Sequence, residues 1–305
     1  MDLTSLPSAA GGRALPYGCP HCRRAAFEEE GSYVCGACAR RFPVRGGLAN
    51  FLSDACISDV GAAERSARDR QARQYESGRL REKGRLYYRM HGHVVARLLK
   101  GAPPGPLLDA GSGTGLITQE LCGRGRDIMA LDFSEASLDV LAEKALPGVT
   151  PVLGSVTAIP AVDASFPAIH CSGVLQALPA GERALTYAEF ARCLEPGGML
   201  VVVAWNEAFY RAQGEPVSGR FGSGIPYFSF TREELAREAR AAGLTDISIR
   251  PFGLALHIQV LPGGRYLFPT VGKLLHPVES WVHPLLPADR DYGSEYWLMV
   301  ARKRA

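Results

Sequence analysis

Three groups of residues in this chain have the types and spacing to do chemistry. The first is Leu107-Leu108-Asp109-Ala110-Gly111-Ser112-Gly113-Thr114-Gly115, two leucines ending in an acid with three glycines at alternate positions after it. Leu116 to Leu121 then reads as a helix, so the stretch is a buried parallel strand, a tight turn and a helix start, the unit that cradles nucleotides. Glycines there supply positive φ, close approach of backbone to a ligand, or close helix–strand packing. The spacing is G-x-G-x-G with an acid two residues ahead, not the G-x-G-x-x-G of pyrophosphate sites. Such an acid repels a pyrophosphate and welcomes an ammonium group. Asp127 to Phe133 reads as a second strand ending in Asp132, 17 residues after Gly115. A carboxylate at that tip accepts the two hydroxyls of a ribose.

The second group is Cys19-Pro20-His21-Cys22 followed after 12 residues by Cys35-Gly36-Ala37-Cys38. Two C-x-x-C knuckles offer four thiolates on two tight turns, the tetrahedral set of a structural Zn²⁺. A redox pair needs only one C-x-x-C beside a βαβ unit. With Ser32-Tyr33-Val34 and Arg41-Phe42-Pro43-Val44 as hairpin strands, residues 16–52 read as a zinc ribbon. Four cysteines close the shell, so the site serves folding or recognition, and His21 is not needed as a ligand. The third group is the histidines. His91, His93 and His257 are candidate bases, each set against an ordinary packed or exposed role. His170, inside an apolar strand, reads as structural.

These groups need positioning. Residues 1–15 read as a flexible N-terminus, and 53–100 as a helical linker and lid, with Leu80, Leu86, Tyr87, Met90, Val94 and Leu98 on one face. The Pro- and Gly-rich stretch 101–106 leads into alternating strands and helices. Strands are expected at Val149–Leu153, Phe166–Ser172, Met199–Trp205, Asp246–Ile249 and Tyr296–Lys303. Helices follow Ser134, span Ala184–Leu194, and begin at Thr231 with a capping box. Glu195-Pro196-Gly197-Gly198 reads as a turn. The pattern predicts an α/β fold, a doubly wound, seven-stranded Rossmann-like sheet over 101–305 with a C-terminal antiparallel hairpin, preceded by the small zinc ribbon.

Composition bounds the function. With 47% apolar and 21% charged residues the chain has the make-up of a water-soluble globular protein. No run of 18 uncharged apolar residues is present, so no membrane span is expected. Met1 to Gly12 lacks a basic stretch ahead of an apolar one, and eight cysteines without an export signal suggest a reducing, cytoplasmic location. The net charge of +3 hides an asymmetry, because residues 1–100 hold 17 Lys/Arg against 10 Asp/Glu. That basic third fits nucleic acid, an anionic substrate or a solvated helix face.

The glycine turn, Asp132, Leu194-Glu195-Pro196-Gly197-Gly198 and the closing Val300-Ala301-Arg302-Lys303 together resemble the class I S-adenosylmethionine-dependent methyltransferases of the broad small-molecule type (type 11-like), over about residues 80–305. The resemblance implies S-adenosylmethionine as cofactor, with Tyr75, Asp109, Gly111, Ser112, Gly113, Asp132, Phe133, Ser155, Val156 and Ser172 binding it. Tyr75 or Tyr87 would act as a lid. The ribbon is similar in layout to that of 23S rRNA guanine-N1 methyltransferases, although that family ends its ligand set in histidine where this chain has Cys38. Two further departures stand out. Gly154-Ser155-Val156 replaces the usual adenine-binding Asp, leaving Asp163 as a stand-in, and Phe166-Pro167 replaces Phe-Asp. Ser172-Gly173-Val174-Leu175-Gln176 is not the Asn/Asp-Pro-Pro-Tyr/Phe of enzymes that methylate exocyclic amines.

Three functions are therefore set against one another. The first is methyl transfer to a small, partly apolar acceptor enclosed by lids at 206–230 and 254–290, which are rich in aromatic residues. In residues 201–230, Arg211 and Arg220 are the only basic groups. The second is an rRNA or tRNA base methyltransferase that uses the ribbon and the basic helices on RNA. The third is a non-catalytic, cofactor-binding partner protein. Neither the oligomeric state nor the acceptor atom is legible.

Overall fold

A buried parallel strand has both faces covered, so its sequence runs apolar without alternation. Leu107–Ala110 and Ile128–Asp132 are buried throughout, each apolar but for one acid. The computed structural model describes residues 15–53, 57–82, 84–212, 214–221, 225–253 and 294–305. In chain order the strands are β1 (Ala26–Glu29), β2 (Ser32–Cys35), β3 (Arg41–Arg45), β4 (Leu48–Asn50), β5 (Leu107–Ala110), β6 (Ile128–Asp132), β7 (Val149–Leu153), β8 (Phe166–Ser172), β9 (Leu194–Trp205), β10 (Ser218–Arg220), β11 (Pro226–Phe228), β12 (Leu244–Phe252) and β13 (Tyr296–Lys303). The helices are α1 (Asp59–Glu82), α2 (Gly84–Leu99), α3 (Thr118–Leu121), α4 (Glu135–Glu143), α5 (Ala180–Cys193), α6 (Glu207–Ala212) and α7 (Arg232–Ala241).

The main sheet has eleven strands in the order β1-β2-β3-β4-β7-β6-β5-β8-β9-β13-β12. This corrects the expected seven. Seven of these eleven follow residue 106, and the ribbon adds four through β4, which runs parallel to β7 with Ala49 opposite Val152 and Asn50 opposite Leu153. An open parallel edge is a row of unpaired amides and carbonyls, and the ribbon covers it. The two parts also share a core: Cys19, Cys35, Phe42 and Phe51 belong to the same buried cluster as Leu108, Leu131, Ile159 and Phe166. Tyr17, Tyr33 and Phe42 pack around Phe51 with ring centroids 4.8–5.5 Å from it.

Other boundaries differ for local reasons. Glu195–Gly198 is not a separate turn but part of β9, absorbed where the β8–β9 register skips between Phe166 and Ala168. The helix after the glycine turn is a single turn, Thr118–Leu121, rather than one from Leu116. At α4 and α7 the expected caps form: Ser134 Oγ accepts the Ser137 amide, and Thr231 with Glu234 makes the full box. No helix among the described residues is long and apolar enough to cross a membrane.

β5 lies between β6 and β8, so the strand order reverses beside it. In open parallel sheets ligands bind outside the carboxyl ends at that reversal. The glycine turn after β5, Asp132 at the end of β6 and Ser172 at the end of β8 all arrive there.

Candidate active site

A cavity of about 1060 Å³ opens at this place. The turn that forms its floor has Gly111, Gly113 and Gly115 at φ of 78°, 54° and 80°. A Cβ at Gly113 would meet nothing within 4 Å, so its backbone faces open space. The Gly113 amide donates to Asp132 Oδ2 at 2.8 Å and the Ser134 amide to Asp132 Oδ1 at 2.9 Å. Burial pushes the Asp132 carboxyl above its ordinary range, while these amides and the nearby Arg68 work to hold it ionised. Ser112 Oγ and Thr114 Oγ1 are buried without a hydrogen-bond partner among the described residues. A bare glycine cradle, an anchored carboxylate and two orphaned hydroxyls are the fittings of a polar ligand such as a nucleoside.

Tyr75, Asp109, Gly111, Ser112, Gly113, Asp132, Phe133, Ser155, Val156 and Ser172 all line this one cavity. Several have other partners than their sequence suggests. Asp109 is 2% exposed, with Oδ2 accepting from Thr118 Oγ1 at 2.6 Å and Oδ1 held by His170 Nδ1 at 2.8 Å. The acid is thus held by protein through both oxygens and stiffens the turn, while still bordering the cavity. Ser155 Oγ is tied to Thr157 Oγ1 at 2.7 Å and accepts the Thr157 amide. Asp163 is no adenine acceptor: it pairs with Arg192 at 2.8 Å and lies outside the cavity lining.

The histidines separate. His91 lines the cavity, packs edge-on against Tyr87, His170 and Phe252, and has no hydrogen-bond partner on either ring nitrogen among the described residues. His93, two residues on, falls on another face of α2, where Nδ1 meets the Arg89 carbonyl at 2.8 Å, and it is not part of the lining. His257 lies outside the described residues, as does the segment 254–290. The histidine that sequence reasoning set aside, His170, also reaches the lining, with Nε2 unpartnered. A histidine in an otherwise apolar buried strand needs a polar partner, and that was the available signal.

Burial holds the His91 imidazole well below its ordinary range. Its contribution to stability is complete above about pH 6.5 and is lost as pH falls towards the depressed value, because the unfolded chain takes up the proton first. Urea unfolding should show the loss setting in below about pH 6.5 and steepening towards about 1.4 kcal/mol per pH unit as the pH drops further, absent in His91→Phe.

The lining also holds an aromatic and apolar set, Tyr87, Tyr88, Tyr296, Trp205, Phe221 and Ile225, with Tyr87 and Tyr88 packed in one cluster with Leu116 beside the glycine turn. Trp205, at the end of β9, gathers Tyr210, Phe221 and Tyr227 with ring centroids 5.1–6.1 Å away. Charged side chains in the lining are Glu64, Asp109, Asp132 and Glu182 against Arg68 and Arg79.

In the ribbon, the Sγ atoms of Cys19, Cys22, Cys35 and Cys38 all lie within 4.8 Å of one another, three of the spacings being 3.3, 3.7 and 3.7 Å. Sulfurs at about 2.3 Å from a tetrahedral Zn²⁺ are about 3.8 Å apart, so the set fits this ion. Burial opposes the Cys35 thiolate, but the amides of Cys38 and Ala37 and the thiols of Cys22 and Cys38 together bring it down to about 6. His21 is not part of the set and meets Ser53 Oγ at 3.2 Å.

Comparison with known proteins agrees with this geometry. Residues 107–198 match the family described as a methyltransferase domain. A demethylmenaquinone methyltransferase of Renibacterium salmoninarum is 37% identical over 107 residues, 35% of this chain and 44% of the relative. An uncharacterized methyltransferase of Mycobacterium tuberculosis is 35% identical over 141 residues, 42% of this chain and 56% of its own length. The chain thus spans about half the length of these curated relatives. Among solved structures, a 1,6-didemethyltoxoflavin-N1-methyltransferase of Burkholderia thailandensis, with 1,6-didemethyltoxoflavin and S-adenosylhomocysteine bound, matches with a TM-score of 0.55 and 17% identity, over 96% of this chain and all of that one. At that identity the likeness concerns the fold. Residues 107–198 thus carry a methyltransferase domain, set in a fold shared with a solved methyltransferase.

Proposed function

We propose that the whole chain transfers a methyl group from S-adenosylmethionine to a small, neutral, partly apolar acceptor, and that the four cysteines hold a structural Zn²⁺. The observation that carries the first reading is one cavity whose lining joins the nucleoside-fitting glycine turn and Asp132 to a set of aromatic side chains. S-adenosylmethionine supplies an electrophilic methyl on a sulfonium, whose thioether leaves without help from an acid. The protein's work is then alignment and exclusion of water. Asp132 holds the ribose, Ser112 and Gly113 the amino-acid end, and Phe133, Ser155 and Val156 the adenine. Tyr87 and Trp205 dry the acceptor side, and His91 is the group placed to take a proton where the acceptor must lose one.

An RNA acceptor is disfavoured by the charge of the lining, in which acids outnumber arginines; nucleic-acid grooves are basic. The arginines of α1 are also engaged nearby: Arg68 with Glu64 at 3.3 Å, Arg65 with Asp69 at 3.9 Å, and Arg73 with Glu143 at 3.0 Å. Relatives named for demethylmenaquinone and a neighbour crystallised with a planar heterocycle make flat aromatic compounds the first acceptors to try. The test is S-adenosylhomocysteine release with quinols, phenols and N-heterocycles, run beside transfer and ribosomal RNA. Turnover on RNA alone would overturn the small-molecule reading. Cofactor binding without turnover on any acceptor would favour a non-catalytic partner. By calorimetry, Asp132→Ala should bind S-adenosylmethionine about 3 kcal/mol more weakly, because it loses the ribose acceptors and frees the Gly113 amide together; unchanged binding would refute the assignment.

A further inference from the structure

We infer that the cysteine ribbon is a wall of the cofactor cleft, and that filling its metal site sets the affinity for the cofactor. This rests on the cofactor reading above and extends it to a part of the chain far from the glycine turn.

The contacts form a continuous path. β7 leads directly into residues 154–161, which carry Ser155 and Val156 into the cavity. The ribbon grips that segment through backbone bonds at both ends. The Phe51 amide donates to the Leu153 carbonyl at 2.8 Å, the Gly18 amide to the Pro160 carbonyl at 3.1 Å, and the Val162 amide to the Pro16 carbonyl at 3.1 Å. Tyr17 forms an antiparallel bridge with Ala161. Gly18, next to the ligand Cys19, approaches so closely that a Cβ there would lie 2.5 Å from the Ala161 carbonyl carbon. Backbone cannot swing aside as a side-chain tip can, so this contact admits only glycine. Cys19 itself is fully buried in one cluster with Ile159 and Ala161.

The far side of the same knuckle is tied to the same segment. Arg23 pairs with Glu189 at 3.5 Å, and Glu189 in turn accepts the Ile159 amide at 2.8 Å. Between the two ligands, Pro20 and His21 face the cavity directly. The first knuckle is therefore at once half of the metal site and part of the cleft. The strands of the ribbon are held by the shared core, whereas its knuckles are short turns that a bound metal would fix. Losing the ion frees Gly18 and Arg23 first, and with them the segment that carries Ser155 and Val156.

The experiment measures S-adenosylhomocysteine affinity by calorimetry on the full chain, with zinc content by elemental analysis and hydrogen exchange read over residues 154–162. Loaded protein should hold one zinc per chain and bind. Chelation should weaken binding by about tenfold or more and raise exchange in that segment. Gly18→Ala keeps all four ligands; it should retain zinc and still bind about tenfold more weakly. Should chelation unfold the whole chain, Gly18→Ala carries the decision. Wild-type affinity in folded, zinc-free protein or in zinc-loaded Gly18→Ala, or unchanged exchange at 154–162 after zinc removal, would overturn the inference. Failure of the loaded wild-type protein to bind at all would instead overturn the cofactor reading.

Discussion

Gly111→Ala should abolish useful cofactor binding and destabilise the fold. At φ of 78° an alanine carries the left-handed penalty of about 1–2 kcal/mol. Its methyl would also lie 2.1 Å from Val174 Cγ2, on the segment that follows β8. Forcing a methyl into such a contact costs about 1–3 kcal/mol more. The two sum to roughly 2–5 kcal/mol, and because the strain sits in the cradle, affinity for S-adenosylhomocysteine should fall by about a hundredfold. The double variant Gly111→Ala/Val174→Ala separates the causes: it should recover the steric share and leave the backbone share. A single variant that binds like the wild type would remove the turn from the site.

Arg192→Ala should cost about 3–5 kcal/mol of stability, although Arg192 itself does not line the cavity. The Arg192 side chain is 8% exposed and pairs with both Glu189 oxygens at 2.7 and 2.8 Å. It also donates to the carbonyls of Ile159 and Ala161 and to Asp163. Removing it leaves the buried Glu189 carboxylate with only the Ile159 amide and the more exposed Arg23, and takes a donor from two carbonyls beneath the segment that the ribbon grips. Arg192→Lys should recover little, since an ammonium cannot make the two-pronged contact. Asp163→Ala, on the exposed side of the network, should cost less than about 1 kcal/mol. Thermal unfolding of the three variants checks the ranking; equal losses would mean that the buried pair is not what matters.

What the sequence determined by itself is the chemistry that a few neighbouring residues must share. Alternate glycines after an acid mark a turn because only glycine sits easily at positive φ, and Gly111, Gly113 and Gly115 all do so. Two C-x-x-C knuckles bring their four sulfurs together because each knuckle is a local turn joined by a hairpin. Asp132 was legible as a strand-end acid for the same reason: its position follows from strand length. Partnerships across the chain were not legible. That Asp109 is held by His170, 61 residues away, depends on β5 and β8 lying side by side. That His91 faces the cavity while His93 does not depends on how α2 is rotated against the sheet. The docking of β4 on β7 turned an expected separate module into four strands of one sheet. Local backbone requirements are written in residue type and spacing, whereas the choice among many compatible apolar and polar partners is made only when the faces meet.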